Sequence, residues 1–157
     1  QTCALPILLY LQDNSTKYLL YIQTATSNHL ETNCVFLHCD YILKVPINKL
    51  VSYYAKLHLS SQSVLIETAK NILNINKLVP IYINAKTILF PLKHKRAPIQ
   101  IYINAHYIVG MTAIENSTLI HFQEGIQLEV DEPFSLVSKK CHESLALKHF
   151  IENTISN

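Results

Sequence analysis

The chain has 157 residues, the size of one ordinary domain, and 49% of them are hydrophobic against 15% charged; this excludes an intrinsically disordered protein and allows a thoroughly buried core. Its longest apolar stretches, such as Ile99 to Ala105 and Leu5 to Leu11, fall far short of the roughly 18 to 20 residues a spanning helix needs, and the opening residues carry no positive charge of the kind that begins a secretory signal, so a cytoplasmic protein without a membrane partner is expected. A formal charge of +2 demands no polyanionic partner, and any nucleic acid would have to be held by a local patch.

Residues Gln1-Thr2-Cys3-Ala4-Leu5-Pro6-Ile7 resemble the translated end of a sequencing adapter. Residues 1–7 are therefore set apart from functional reading, and residues 8–157 are expected to form a single domain. That leaves Cys34, Cys39 and Cys141, which are no disulfide framework and fit a reducing compartment. Abundant Ile, Asn, Lys and Tyr beside two glycines is the bias of AT-rich coding DNA.

In chain order, Ile7 to Gln12 and Lys17 to Gln23 read as two strands around the turn Asp13-Asn14-Ser15-Thr16, and a third strand, Asn33 to His38, follows a polar loop. Ile47, Leu50, Val51, Tyr54 and Leu57 recur at helical spacing behind Pro46, which suits a helix start. After the cap Ser60-Ser61, a second stripe of Leu65, Ile66, Ala69, Ile72 and Leu73 leaves Glu67, Lys70 and Asn71 outside, as in an amphipathic helix. The pattern then switches to strands at Val79 to Ile83, Thr87 to Phe90, Ile99 to Ile103, Tyr107 to Ile114, Leu119 to Gln123 and Ile126 to Val130. A last helix from about Ser135 sets Leu136, Val137, Cys141, Leu145, Leu147, Ile151 and Ile155 on one side and Lys139, His142 and Asn153 on the other, with Asp131 and Glu132 at its amino end. The fold class is α+β, with mostly antiparallel strands, a central helix pair and a C-terminal helix, because the later connections are too short for crossovers.

Eight histidines and four cysteines raise the question of a metal. The nearest cluster, Cys34-Val35-Phe36-Leu37-His38-Cys39, runs along a strand that points Cys34 and Cys39 to opposite faces, whereas zinc sites pair their ligands on a turn. Cys141-His142 diverge by about 100° on a helix. Buried structural cysteines are the better reading. No hydrolase elbow or phosphate-cradling loop occurs, so no catalytic residue, metal ligand or cofactor is assigned and no enzyme is expected. The sharpest charge feature is Lys93-His94-Lys95-Arg96, a basic loop able to approach phosphates or a narrow minor groove, where A-tract DNA has enhanced negative potential; alone, it reads more readily as a solvated hairpin tip. Residues 47–73 have the outline of a helix-turn-helix, but two packed amphipathic helices are commoner than a recognition module.

The succession Lys77-Leu78-Val79-Pro80-Ile81, Ile88-Leu89-Phe90-Pro91 and Ile101-Tyr102-Ile103-Asn104-Ala105-His106-Tyr107-Ile108 resembles the Lys-x-Pro-Ile strand, aromatic-Phe-Pro segment and Trp-Ile-x-x-x-His stretch of the competence transcription factor (ComK) family. Leu119 to Leu128 is similar to that family's next hairpin, and the likeness covers roughly residues 40–152. Val51 replaces a family Cys, Ala55 a Gly, Ser60-Ser61 a Gly-Arg turn, and Tyr102 stands where Trp is usual. The resemblance implies a bacterial activator of the genes for DNA uptake that recognises AT-rich boxes in double-stranded DNA through the minor groove and acts as a homo-oligomer. Lys93, Lys95 and Arg96, with Lys70 and Lys77, are the expected DNA contacts. Family activators can carry a tail read by an adaptor and protease; no matching tail is seen, and that partner is not carried over. The alternative is a diverged paralogue that acts by protein association without gripping DNA.

Overall fold

The computed structural model describes residues 16–155, with the side chain of Ile155 excepted. Strands β1 (Leu19–Ala25) and β2 (Asn28–Phe36) form a hairpin, and β3 (Asp40–Leu43) folds back on β2. Helices α1 (Ile47–Leu57) and α2 (Gln62–Leu73) precede β4 (Ile81–Asn84), β5 (Thr87–Pro91) and β6 (Ile101–Asn104). A 3-10 turn at Ala105–Tyr107 leads into β7 (Ile108–Ile114), β8 (Ser117–Phe122) and β9 (Gln127–Val130), and α3 (Phe134–Ile155) follows. The class is α+β, as expected, and all seven strand pairings among the described residues are antiparallel. The expected strand Ile7 to Gln12 and residues 1–7 lie outside the described residues.

Local chemistry sets the helix ends. Pro46, with φ −60, precedes α1 and its carbonyl accepts from Leu50 N–H at 3.0 Å. Ser61 caps α2, its Oγ accepting from Val64 N–H at 3.3 Å, and α2 ends where Asn74 turns left-handed at φ 54, a conformation asparagine tolerates.

Two sheets result, one of six strands in the order β3-β2-β1-β6-β5-β4 and one of three in the order β7-β8-β9. The β1–β6 seam joins the amino-terminal strands to the later ones, with Ile22 opposite Tyr102. Adjacent residues of the six-stranded sheet fall into different cores: Leu89 and Tyr102 pack with Leu50, Val51 and Tyr54 of α1, while Phe90 and Ile103 pack with Phe122 of β8 and Val137 and Cys141 of α3. Side chains alternate across a strand, so both faces of this sheet are covered, by α1 on one and by the small sheet with α3 on the other. A third cluster, Ala69, Val79 and Leu147, lies where α2 approaches α3. Asn104 ties the seam: its Nδ2 donates to the carbonyls of Leu19 (2.8 Å) and Lys86 (2.9 Å), and its Oδ1 accepts from Ile88 N–H (3.0 Å) and His106 N–H (3.2 Å).

Three sequence expectations need correction. The polar loop before Asn33 is the first half of β2, which begins at Asn28; backbone pairing with β1 holds it while His29 and Leu30 stay in solvent, so no alternation betrays it. The edge strand β3 was not legible, being only four residues long. On α3 the buried stripe is Val137, Lys140, Cys141, Ser144 and Leu147, and Leu145 is exposed, because two polar residues take places in the stripe and rotate it away from position 145. No helix among the described residues is long and apolar enough to cross a membrane.

Candidate functional site

One open groove of about 840 Å³ lies between α2 and the loop that joins β5 to β6. Gln62, Ser63, Ile66, Glu67 and Lys70 line it from α2, and Asn76 to Val79 from the segment before β4. Ile81, Pro91 and Tyr102 supply apolar lining, and Lys93 to Arg96 close the remaining side. All five sequence candidates, Lys70, Lys77, Lys93, Lys95 and Arg96, are brought to this groove. It holds five of the chain's 13 Lys and Arg but, in Glu67, only one of its 11 Asp and Glu. The nearly neutral chain therefore carries one locally cationic concavity, where low-dielectric walls focus the field.

The five cations are not equivalent. Lys93 is half-buried and pairs with Glu132 at 2.5 Å, so part of its charge is already met. Lys95 and Arg96 are exposed and make no ion pair among the described residues. Lys77 is exposed and Lys70 half-buried. The loop is held in shape from behind by Gln100, a buried side chain whose Nε2 donates to the carbonyls of His94 and Ala97, the latter at 2.9 Å, while its backbone N–H donates to Thr24 Oγ1 at 2.9 Å. Ala97 N–H closes the turn on the His94 carbonyl at 2.9 Å. With the turn fixed by neutral groups, Lys95 and Arg96 are left to solvent. Sequence reasoning missed Gln100; its signal is a glutamine opening an otherwise apolar strand. Tyr102 is buried, with the pKa of its phenol pushed upward by desolvation, and also lines the groove.

Lys139 and Lys140 are neighbours on α3, but only Lys139 is solvated. Lys140 is 5% exposed; its Nζ donates to the Lys77 carbonyl at 2.8 Å and lies 2.8 Å from Glu143 Oε1. A buried ammonium persists only when paired and hydrogen-bonded, and both conditions hold here. The contact anchors α3 to the Lys77 wall of the groove.

The cysteine-rich run is split by the fold. Cys34 is buried in β2 and Cys39 is exposed beyond its end, where Phe36 N–H reaches the Cys39 carbonyl at 2.8 Å. Burial pushes the Cys34 thiol up to about 12, against a smaller opposing effect of its hydrogen bond with Tyr54, and such a thiol packs rather than attacks. Among the described residues no group of three or more His, Cys, Asp or Glu gathers closely enough to hold a metal ion.

Fold and groove together define a class: a small α+β protein whose cationic groove is walled by a helix and a hairpin loop. Comparison with known families makes this more particular, because residues 14–156 match the sequence profile described as ComK protein, and the chain belongs to that family of competence transcription factors. No curated protein and no solved structure matches it.

Proposed function

We propose that the chain is an activator of genes for genetic competence that grips AT-rich double-stranded DNA in the groove between α2 and the Lys93–Arg96 loop. The observation that carries this reading is the convergence of Lys70, Lys77, Lys95 and Arg96 on one concavity in a chain that has little net charge elsewhere. Cations on phosphates supply affinity and position, and the minor groove distinguishes A·T from G·C by its acceptors and width. The exposed amides of Asn48 and Asn76 at the same groove are donors of the kind that A·T acceptors accept. The protein acts in the cytoplasm as a homo-oligomer on its site. A titration of AT-box and GC-rich duplexes across a salt series tests this: AT-rich DNA is expected to bind more tightly, with log affinity falling linearly in log salt. Equal affinity for the two duplexes at physiological salt would sink the activator reading and leave a paralogue that works by protein association.

A further inference from the structure

Leu59 is 98% exposed, the highest exposure of any large hydrophobic side chain among the described residues. Its backbone is left-handed, with φ 58. Leu59 N–H bonds the Lys56 carbonyl at 3.1 Å and Ser60 N–H the Ala55 carbonyl at 3.0 Å, the paired bonds of a Schellman turn, whose left-handed position usually takes glycine. Glycine would relieve the Cβ contact with the backbone, and a polar residue would relieve the exposure. The chain has neither there. A side chain so exposed adds no packing, so both features oppose folding without return.

The place of this turn supplies a reason. Leu59 stands at the α1–α2 corner, three residues before Gln62, which is a chain span of at most about 11 Å. Gln62 and Ser63 line the cationic groove, and the next residue, Val64, is 57% exposed. Apolar surface thus adjoins the end of a groove whose charge calls for an anionic partner. Once phosphates are neutralised, the apolar surface such a partner offers is the faces of its stacked bases. We propose that Leu59 is a wedge that enters between base steps of DNA held in the groove. This rests on the DNA reading of the groove given above. Minor-groove proteins use leucine among other apolar residues to part a step, and pyrimidine–purine steps such as TA yield most easily.

The test uses the full chain and an AT-rich duplex with 2-aminopurine replacing adenine at a TA step, with Leu59→Asn and Leu59→Met compared across a salt series. Wild type is expected to brighten the probe on binding, because unstacking relieves its quenching. Leu59→Asn should abolish the brightening and bind about tenfold more weakly with an unchanged salt slope, since no cation is removed. Leu59→Met should keep both properties. The thermal midpoint of Leu59→Asn should equal or exceed that of wild type, because asparagine tolerates the left-handed turn; this separates a lost contact from a damaged fold. Wild-type binding without brightening, or a Leu59→Asn variant that binds and brightens like wild type, overturns the wedge and leaves the groove reading standing. A variant that changes only the sedimentation of the free protein also overturns it, in favour of a second copy at this corner. Failure of wild type to bind either AT-rich or GC-rich duplex overturns the DNA reading and the wedge with it.

Discussion

Lys95-Arg96 in the β5–β6 loop and Lys139-Lys140 on α3 are both adjacent pairs of cations, but the fold gives them different work. The loop pair is exposed at the groove, on a turn shaped by the buried amide of Gln100. The helix pair is divided: Lys139 is exposed and Lys140 buried, because neighbouring helix positions diverge by about 100° and only one can face inward. Inside, Lys140 joins Glu143 and the Lys77 carbonyl. A cation's role is set by whether its ammonium is already satisfied. Lys95 and Arg96 stay exposed and make no ion pair among the described residues, and Lys140 spends its charge on the fold.

The sharpest way to break this comparison is to remove the buried cation. Lys140→Ala should cost about 3 to 5 kcal/mol, because Glu143 is left buried without its partner, whereas the double replacement Lys140→Met with Glu143→Leu should cost far less. Both are read by chemical denaturation; a loss for Lys140→Ala as small as that of an exposed lysine would show that Lys140 is solvated after all.

Gln100→Ala should cost about 1 to 3 kcal/mol, since the Ala97 carbonyl loses its side-chain donor and the His94 carbonyl keeps only the Ala97 N–H, and should speed hydrogen exchange at the Ala97 amide. Unchanged exchange there would mean that the loop holds its shape without the glutamine. A double replacement of Lys95 and Arg96 by Ala should leave stability within about 0.5 kcal/mol while flattening the salt dependence of DNA binding by about 0.9 log unit per lost phosphate contact. Adding Lys93→Ala should flatten it less than a third full contact would, because Lys93 already faces Glu132. Lys139→Ala is the control, and an equal effect from it would mean that binding follows diffuse charge with no localised site.

The smallest effect belongs to a basic side chain between these extremes. His106 is half-buried, and desolvation, then Lys148 and Lys86, hold its imidazole below the ordinary value against the opposing charge of Glu152. Above about pH 6.5 the ring is neutral in both states and stability is unaffected. Below it the unfolded chain takes up protons that the folded one resists, so stability falls as the pH drops. His106→Gln should lessen that fall in urea midpoints between pH 7 and 5; an equal fall in the variant would place the acid sensitivity elsewhere.

By itself the sequence determined the order of strands, helix pair, strands and helix, the α+β class, and the residues that carry the family likeness, because periods of 2.0 and 3.6, proline and serine caps and short turns are local properties. It also singled out the Lys93–Arg96 loop, where charge is dense enough to stand out in one dimension. Tertiary structure alone decided that Lys70 and Lys77 share a groove with that loop, because they lie on separate elements that meet only once β4, β5 and β6 pair and α2 packs beside them. It alone turned Lys140 inward, since a lysine in a helical pattern reads as solvated until a carbonyl and a carboxylate from the fold arrive to satisfy it. It alone left Leu59 fully in water at the closed α1–α2 corner, since a turn's backbone bonds fix where its side chains point whatever those side chains would bury.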